Sequence, residues 1–389
     1  MGKFRFLTGG ESHGKGLVAI VEGMVADLTL EEKYINKELK RRQQGYGRGP
    51  RMEIEDDEAK ILSGVRYGLT TGSPIALSIR NRDWENWQEQ LNVSPVEKEV
   101  EPVTCPRPGH ADLAGVIKYG HKDIRPIIER ASARETASRV AVGAIARRFL
   151  EEFGIAIHSH TTAIGRYKLE QDEANRIDWQ QVEASPVRCS NVEIEKSMMA
   201  AIDEAKAIGD TLGGIVEIVA EGVPIGLGSH VIWDRRLDGG IAQAIMSINA
   251  VKGVEIGDGF ALAGLGGSQA HDIIEPSPSS KANKLLWQHT TNRAGGIEGG
   301  ISNGEDIIVK AAVKPIATLT NPLPSIDLHS GEKVRAHYER SDICVVPSAG
   351  VIAEAMLAIV LADACLEKFG GDNLKETLAN YRNFLVNIS

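Results

Sequence analysis

The chain has 389 residues and a formal charge of −9, from 44 Lys and Arg against 53 Asp and Glu, a balance that speaks against a general nucleic-acid coat or a binder of anionic membranes. Charged residues are 25%, hydrophobic ones 42% and aromatics only 5%, which suits a soluble globular protein and leaves too few rings for a base-stacking platform. The four cysteines are far apart and form no C-x-x-C pair, so neither a zinc ribbon nor a thioredoxin-like motif is predicted, and a reducing compartment is. In chain order, residues 4–8 and 17–21 are predicted as short strands around a Gly-rich turn. Thr29 followed by Glu32 has capping-box spacing and predicts a helix over 31–42, stopped at Gly45. A strand is predicted at 75–79, then a long polar loop at 86–104. A second capping box, Ser132 with Glu135, opens a helix to about Phe153, and 155–164 alternates like a strand. Residues 165–191 are mixed and polar and are predicted as an insertion. Helices at 192–208, 240–251 and 349–369 alternate with strands at 215–220 and 306–313, and 381–388 is predicted as a tail. No linker and no fixed-period repeat divides the chain, so the pattern predicts one α+β domain over 1–389. The longest apolar run, 355–362, lies between Glu354 and Asp363, well short of the ~20 residues of a bilayer span.

Glycine is over-used, at 41 residues against a usual ~7%. The glycines cluster beside Ser, His, Asp and Arg, where backbone either turns tightly or approaches a ligand closely. In 9–16, Gly9, Gly14 and Lys15 have P-loop spacing. However, Gly16 stands where Ser or Thr would bind Mg²⁺, and a strand follows where phosphate needs a helix N-terminus. The remaining reading is a turn that exposes Ser12 and His13. The stretch 41–51, hinged by Gly45, Gly47 and Gly49, reads as a solvated helix end, as a nucleic-acid patch that the net acidity opposes, or as an arginine loop gripping carboxylate or phosphate. In 107–112, His110 follows a Pro-Gly turn close to Arg107 and could move a proton near neutral pH. In 130–136, Arg130 and Arg134 flank an N-cap, which is a ready anion site as well as a plain cap. Further accessible turns lie at 213–214, 249–253, 266–268, 295–304, 314–318 and 340–342. His158 and His160 would share one face of a strand, but no Cys or carboxylate companion stands nearby in sequence, so no metal site is predicted. From the residues alone, the expectation is an enzyme for a small anionic substrate with an unspecified reaction. A P-loop-like phosphotransferase, an RNA-binding module on 41–51 and an inactive flavin-binding scaffold are the rivals.

Taken together and in order, these clusters resemble the chorismate synthase family. The stretches that carry the resemblance are Gly10-Glu11-Ser12-His13-Gly14, 41–52, 107–112, 130–136, Gly209-Asp210-Thr211-Leu212-Gly213-Gly214, 247–253, 295–304, 314–318 and 339–347. Gly9, Met24-Val25-Ala26-Asp27 and Ser341 depart from the family's usual residues. The resemblance implies a single-domain β-α-β sandwich, with a helical core between antiparallel sheets, assembled as a homotetramer. It implies loss of phosphate and the C6 hydrogen from 5-enolpyruvylshikimate 3-phosphate by anti-1,4 elimination, giving chorismate in the last step of the shikimate pathway. Reduced FMN is required without net redox.

By the same resemblance His13 protonates the leaving phosphate, His110 protonates or stabilises the reduced flavin, and Asp342 assists the flavin N5, with Ser12 and Ser132 as hydrogen-bond relays. Arg130, Ala131, Ser132, Asn249, Ala250, Gly299, Lys314, Pro315, Ile316, Ala317, Thr318 and Arg340 match the family's FMN positions. Arg42, Arg48, Arg107 and Arg134 match substrate ligands, and the first two also match positions credited with NADP contact. No separate flavin-reductase segment is visible in the sequence, so an external flavin reductant is expected, with NADPH as an indirect source. No nucleic-acid or membrane partner is implied, and the location is cytoplasmic, or a plastid-like compartment without a visible transit peptide.

Overall fold

A computed structural model describes residues 3–49, 54–96, 100–170, 177–277 and 286–388. Pro50, Arg51 and Met52 of the arginine stretch, part of the predicted loop (97–99) and part of the predicted insertion (171–176) lie outside the described residues.

The strand β2 (Gly16–Glu22) shows why the N-terminal region folds as sheet. Leu17, Ala19 and Val21 are buried while Val18, Ile20 and Glu22 face out, the two-residue period of a half-covered strand. It pairs antiparallel with β1 (Arg5–Gly10) and with β4 (Ile75–Arg80), and β4 also pairs with β3 (Ala59–Ser63), giving the order β1-β2-β4-β3. A second antiparallel sheet has the order β8-β9-β7-β5-β6. Its strands are β5 (Ala156–Ile164), β6 (Tyr167–Lys168), β7 (Gly214–Glu221), β8 (Val251–Ile256) and β9 (Ile307–Val313).

The longer helices are α1 (Glu32–Gln43), α2 (Asp112–Tyr119), α3 (Arg125–Ala131), α4 (Thr136–Glu151), α5 (Val192–Ile208), α6 (Leu237–Met246), α7 (Val346–Phe369) and α8 (Leu374–Asn387). Helix α4 packs on β2, α7 packs on β5 and β7, and the two helices pack on each other. One cluster of buried apolar residues runs from Phe4 to Phe369 through both sheets and these helices. The class is therefore α+β with antiparallel sheets. Helix α7 is long and apolar enough to cross a membrane, yet it is mostly buried inside this fold. Gly143 fixes the α4–α7 approach, because a Cβ there would lie 2.3 Å from the Ala355 Cβ. Gly143→Ala is expected to push the helices apart at a cost of about 1–3 kcal/mol. Urea unfolding checks this, and an unchanged midpoint would refute it.

Glu354, in the middle of α7, is buried, and three arginines from other elements converge on it. Arg147 lies at 2.7 Å, Arg41 at 2.8 Å and Arg188 at 3.1 Å, and Ser159 donates from 2.6 Å. Arg41 ends α1 beside Arg42, and successive helical residues point about 100° apart. Arg41 therefore joins the Glu354 hub while Arg42 turns toward Thr136 and Asp57.

Several local expectations change. Thr29 does not cap α1; it bridges Leu69, and the Glu32 carboxylate accepts from the Ile61 N–H at 2.9 Å. Ser132 caps a short 3₁₀ turn at Ala133–Glu135, Glu135 pairs with Arg139, and α4 ends at Glu151. For Thr29 and Glu32 the tertiary partners Leu69 and Ile61 outcompete the local box, whereas Ser132 does act as a cap, accepting from the Arg134 N–H at 3.3 Å, and Glu135 pairs one helical turn on with Arg139. Residues 165–191 are not merely a polar insertion: Trp179–Ala184 is helical, and Val182, Val187 and Cys189 are fully buried. Helix α6 starts at Leu237 and stops at Met246, because Val251 begins β8. The predicted tail is part of α8. The Asn373 side chain caps that helix, and Leu374, Leu378, Tyr381 and Phe384 pack on the core.

Candidate active site

Loops at the ends of these elements enclose a cavity of about 400 Å³. Ser12 and His13 come from the β1–β2 turn, and Arg42 and Arg48 from the end of α1 and the loop after it. Arg107 and His110 precede α2, Ala131 ends α3, and Ser132 and Arg134 lie between α3 and α4. Asn249 and Ala250 precede β8, Lys314, Pro315, Ile316, Ala317 and Thr318 follow β9, and Arg340 and Asp342 precede α7. Among the described residues, six Arg and Lys side chains but only two carboxylates, Glu339 and Asp342, face this space, so an anion entering it meets a positive lining.

His13 is fixed on two sides. Its Nδ1 lies 3.0 Å from Glu129 Oε1, and its backbone N–H donates to Glu129 Oε2 at 2.7 Å. The imidazole stacks on Trp87 with ring centres 4.1 Å apart, and the Arg125 guanidinium lies over the same indole. Ser12 Oγ donates to Ser132 Oγ at 3.1 Å, which ties this turn to the start of the α4 region.

His110 is held by Asp112, whose Oδ1 lies 2.5 Å from Nδ1. Asp112 also receives Arg107 through Nε at 2.8 Å and Nη2 at 3.1 Å, while Arg107 Nη1 donates to Thr318 at 2.9 Å. Burial alone would raise the Asp112 carboxyl, but the hydrogen bonds from His110 and Arg107 hold it well below the usual range. Glu339 behaves similarly: burial opposes its charge, but His337 and Arg125 hold it at about 2.

Arg42 and Arg134 share Asp57. Arg42 reaches it at 3.3 Å, and Arg134 makes a closer pair there and also contacts Glu55 at 3.4 Å. Burial pushes Arg42 down to about 10, against the attraction of Asp57. Asn81 joins this group to the histidine turn. Its Oδ1 accepts from Arg134 at 2.8 Å, and its Nδ2 donates to the Glu11 and Gly14 carbonyls at 2.9 and 2.7 Å. Asp342 accepts from the Gly49 N–H at 2.6 Å and pairs with Arg48 at 3.3 Å. Burial pushes the neighbouring Cys344 thiol up to about 11, so it stays protonated at neutral pH.

The structure leaves two of the predicted residues away from the cavity lining. The Arg130 guanidinium is exposed and donates to the Thr8 and Gly10 carbonyls. Gly299 sits exposed at the tip of a hairpin pairing Ile297–Glu298 with Ile301–Ser302, which packs beside Gly228 and Leu237. His160 does have a carboxylate companion, because the strand register places Glu217 opposite it at 3.0 Å. Among the described residues, no three His, Cys, Asp or Glu side chains gather as metal ligands.

The sequence reading missed Glu129, Trp87, Asp57 and Asn81. Asp112 was visible two residues after His110 but had no assigned part. The others contact the site across long sequence separations and leave no local pattern.

A family profile described as chorismate synthase matches residues 4–366. The chorismate synthase of Moorella thermoacetica is 55% identical over 390 residues, covering 99% of this chain and all of that protein. That of Aquifex aeolicus is 53% identical over 394 residues, covering 99% and 98%. The chain belongs to the chorismate synthase family. A solved structure titled as a crystal structure of chorismate synthase superposes with a TM-score of 0.79 at 44% identity, covering 99% of this chain and 98% of that one. As a chorismate synthase, the chain is a carbon–oxygen lyase acting on phosphates.

Proposed function

We propose that the cavity converts 5-enolpyruvylshikimate 3-phosphate to chorismate by anti-1,4 elimination of phosphate and the C6 hydrogen, the last step of the shikimate pathway, with reduced FMN and no net redox. The observation that carries this reading is a pair of histidines, each with Nδ1 against a buried carboxylate, on the wall of one arginine-lined cavity. A substrate with two carboxylates and a phosphate suits that lining. Arg48 and Arg107 offer cationic edges to it, whereas Arg42 and Arg134 act through a guanidinium pair organised by Asp57.

The residues fit an FMN. Asn249 Oδ1 is buried at the cavity wall without a protein hydrogen bond, while its Nδ2 donates to the Ala131 carbonyl at 3.0 Å. Ala250 holds a left-handed φ of 68° and accepts from the Lys314 N–H at 2.9 Å. For a non-glycine residue this conformation is uncommon, and it marks a backbone constrained by its site. Asn249, Ala250, Ala131, Ser132, Arg340 and the run 314–318 would hold the cofactor. Bound reduced FMN supplies the electron-rich chemistry that the side chains lack.

His13 lines the cavity with Nδ1 taken by Glu129, which leaves Nε2 to carry the proton for the departing phosphate. His110, whose Nδ1 is taken by Asp112, would hold a proton at Nε2 and so protonate or stabilise the reduced flavin. Asp342, fixed by Gly49 and Arg48, assists removal of the C6 hydrogen, and Ser12 with Ser132 relays hydrogen bonds between the two sides. The positive lining stabilises charge developing on the departing phosphate.

The test is an anaerobic assay with this substrate and reduced FMN, following chorismate. Formation of chorismate supports the reading, and its absence overturns it. Oxidised FMN with NADPH in parallel should give none, because an external reductant is proposed. Arg48→Ala is expected to raise KM about 10-fold or more, the value of a lost charge-assisted bond, and an unchanged KM would make Arg48 a bystander. We also propose a single-domain β-α-β sandwich over 1–389, a cytoplasmic location and a homotetramer, with light scattering testing the last.

A further inference from the structure

We infer that Glu129 is the positioning residue of His13, setting its tautomer and ring orientation so that Nε2 carries the transferable proton. The inference rests on the proposed role of His13 and adds a residue to it. Glu129 is 1% exposed, at the end of α3, and its carboxylate meets His13 twice: through the backbone N–H at 2.7 Å and through ring Nδ1 at 3.0 and 3.1 Å. A second backbone link joins the same residues' neighbours, the Ser12 N–H donating to the Glu129 carbonyl at 3.1 Å. A carboxylate only accepts, so the ring must donate from Nδ1. In the neutral ring that leaves Nε2 as the acceptor, and in the imidazolium it leaves Nε2–H as the proton to be given.

The ring plane has its own support in the Trp87 stack, with planes 25° apart. One edge and one face of the imidazole are thus fixed before anything binds. Arg125 lies 3.4 Å from Glu129 and also pairs with Glu339 on the cavity wall. The carboxylate therefore keeps a cationic partner when His13 is neutral, and the dyad never leaves Glu129 charged and alone. His110 has a different arrangement, because Asp112 is held by Arg107 through two bonds as well as by the imidazole.

The test uses the full-length protein. In ¹⁵N-histidine-labelled enzyme without flavin, the neutral His13 ring should be in the Nδ1–H form. Glu129→Gln, nearly isosteric, should shift the population toward Nε2–H, and Glu129→Leu should abolish the preference. With reduced FMN, Glu129→Gln should lower kcat about 10–100-fold, the cost reported for losing an orienting partner outside a reacting shell, while KM stays within a factor of about three, a purely local change in orientation. Wild-type His13 in the Nε2–H form overturns the inference, as does a Glu129→Gln enzyme with wild-type kcat. If His13→Ala itself keeps full activity, the proposed role of His13 falls, and the tautomer measurement still decides the Glu129 contact.

Discussion

His13→Ala is expected to lower kcat by about 10²–10⁴-fold, the range of a positioned general acid, with KM for the phosphate substrate changed little. The expectation follows from how completely the side chain is built in. Its ring is bonded to Glu129 and stacked on Trp87, so alanine removes the proton donor without removing the turn, which the Asn81 bonds to the Glu11 and Gly14 carbonyls retain. Steady-state rates under anaerobic reduced-FMN conditions check it. A large rise in KM with unchanged kcat would show that His13 binds substrate and does not assist the leaving group.

Glu354→Ala is expected to be the most damaging core substitution, at about 3–5 kcal/mol, because it leaves arginines packed around an empty position. Arg188 is buried, and Arg41 and Arg147 are half-buried. Burial would raise the Glu354 carboxyl, but Arg41, Arg147 and Arg188 hold it far below the usual carboxylate range. Its folded value lies under its unfolded one, so its contribution is complete above the unfolded value of about 4.3 and is lost as pH falls toward the folded one. Glu354→Gln cannot titrate. The stability gap between wild type and Glu354→Gln should be constant from about pH 5 to 8 and narrow below about pH 4. Urea unfolding at neutral pH and near pH 3 measures both gaps, and equal gaps would show that the hub does not depend on the Glu354 charge.

The legible parts of the molecule were those written locally. The apolar run of α7, the helix of α5 ending before Gly209, the alternation of β5 and the short strand β7 each appear in consecutive residues, and the structure places all of them within a few positions. The same holds for the site loops, whose glycines and arginines stand together in short stretches. What stayed hidden depends on partners far along the chain. Thr29 and Glu32 have the spacing of a cap, but Leu69 and Ile61, farther along the chain, take up that pair. Glu129 meets His13 across 116 residues, and nothing in either neighbourhood announces that contact. The helix at Leu374–Asn387 was missed for another reason: its apolar residues at 374, 378 and 381 have helical spacing, but its exposed face dilutes the pattern.

The adjacency of Arg41 and Arg42 has a consequence for heat. One residue anchors the end of α1 in the Glu354 hub, and the next, paired with Asp57, lines the cavity. No flexible joint lies between them, so a disturbance of the hub reaches this part of the cavity wall directly. Activity and fold should be lost at one temperature, and a weakened hub should lower the inactivation and unfolding midpoints by the same number of degrees.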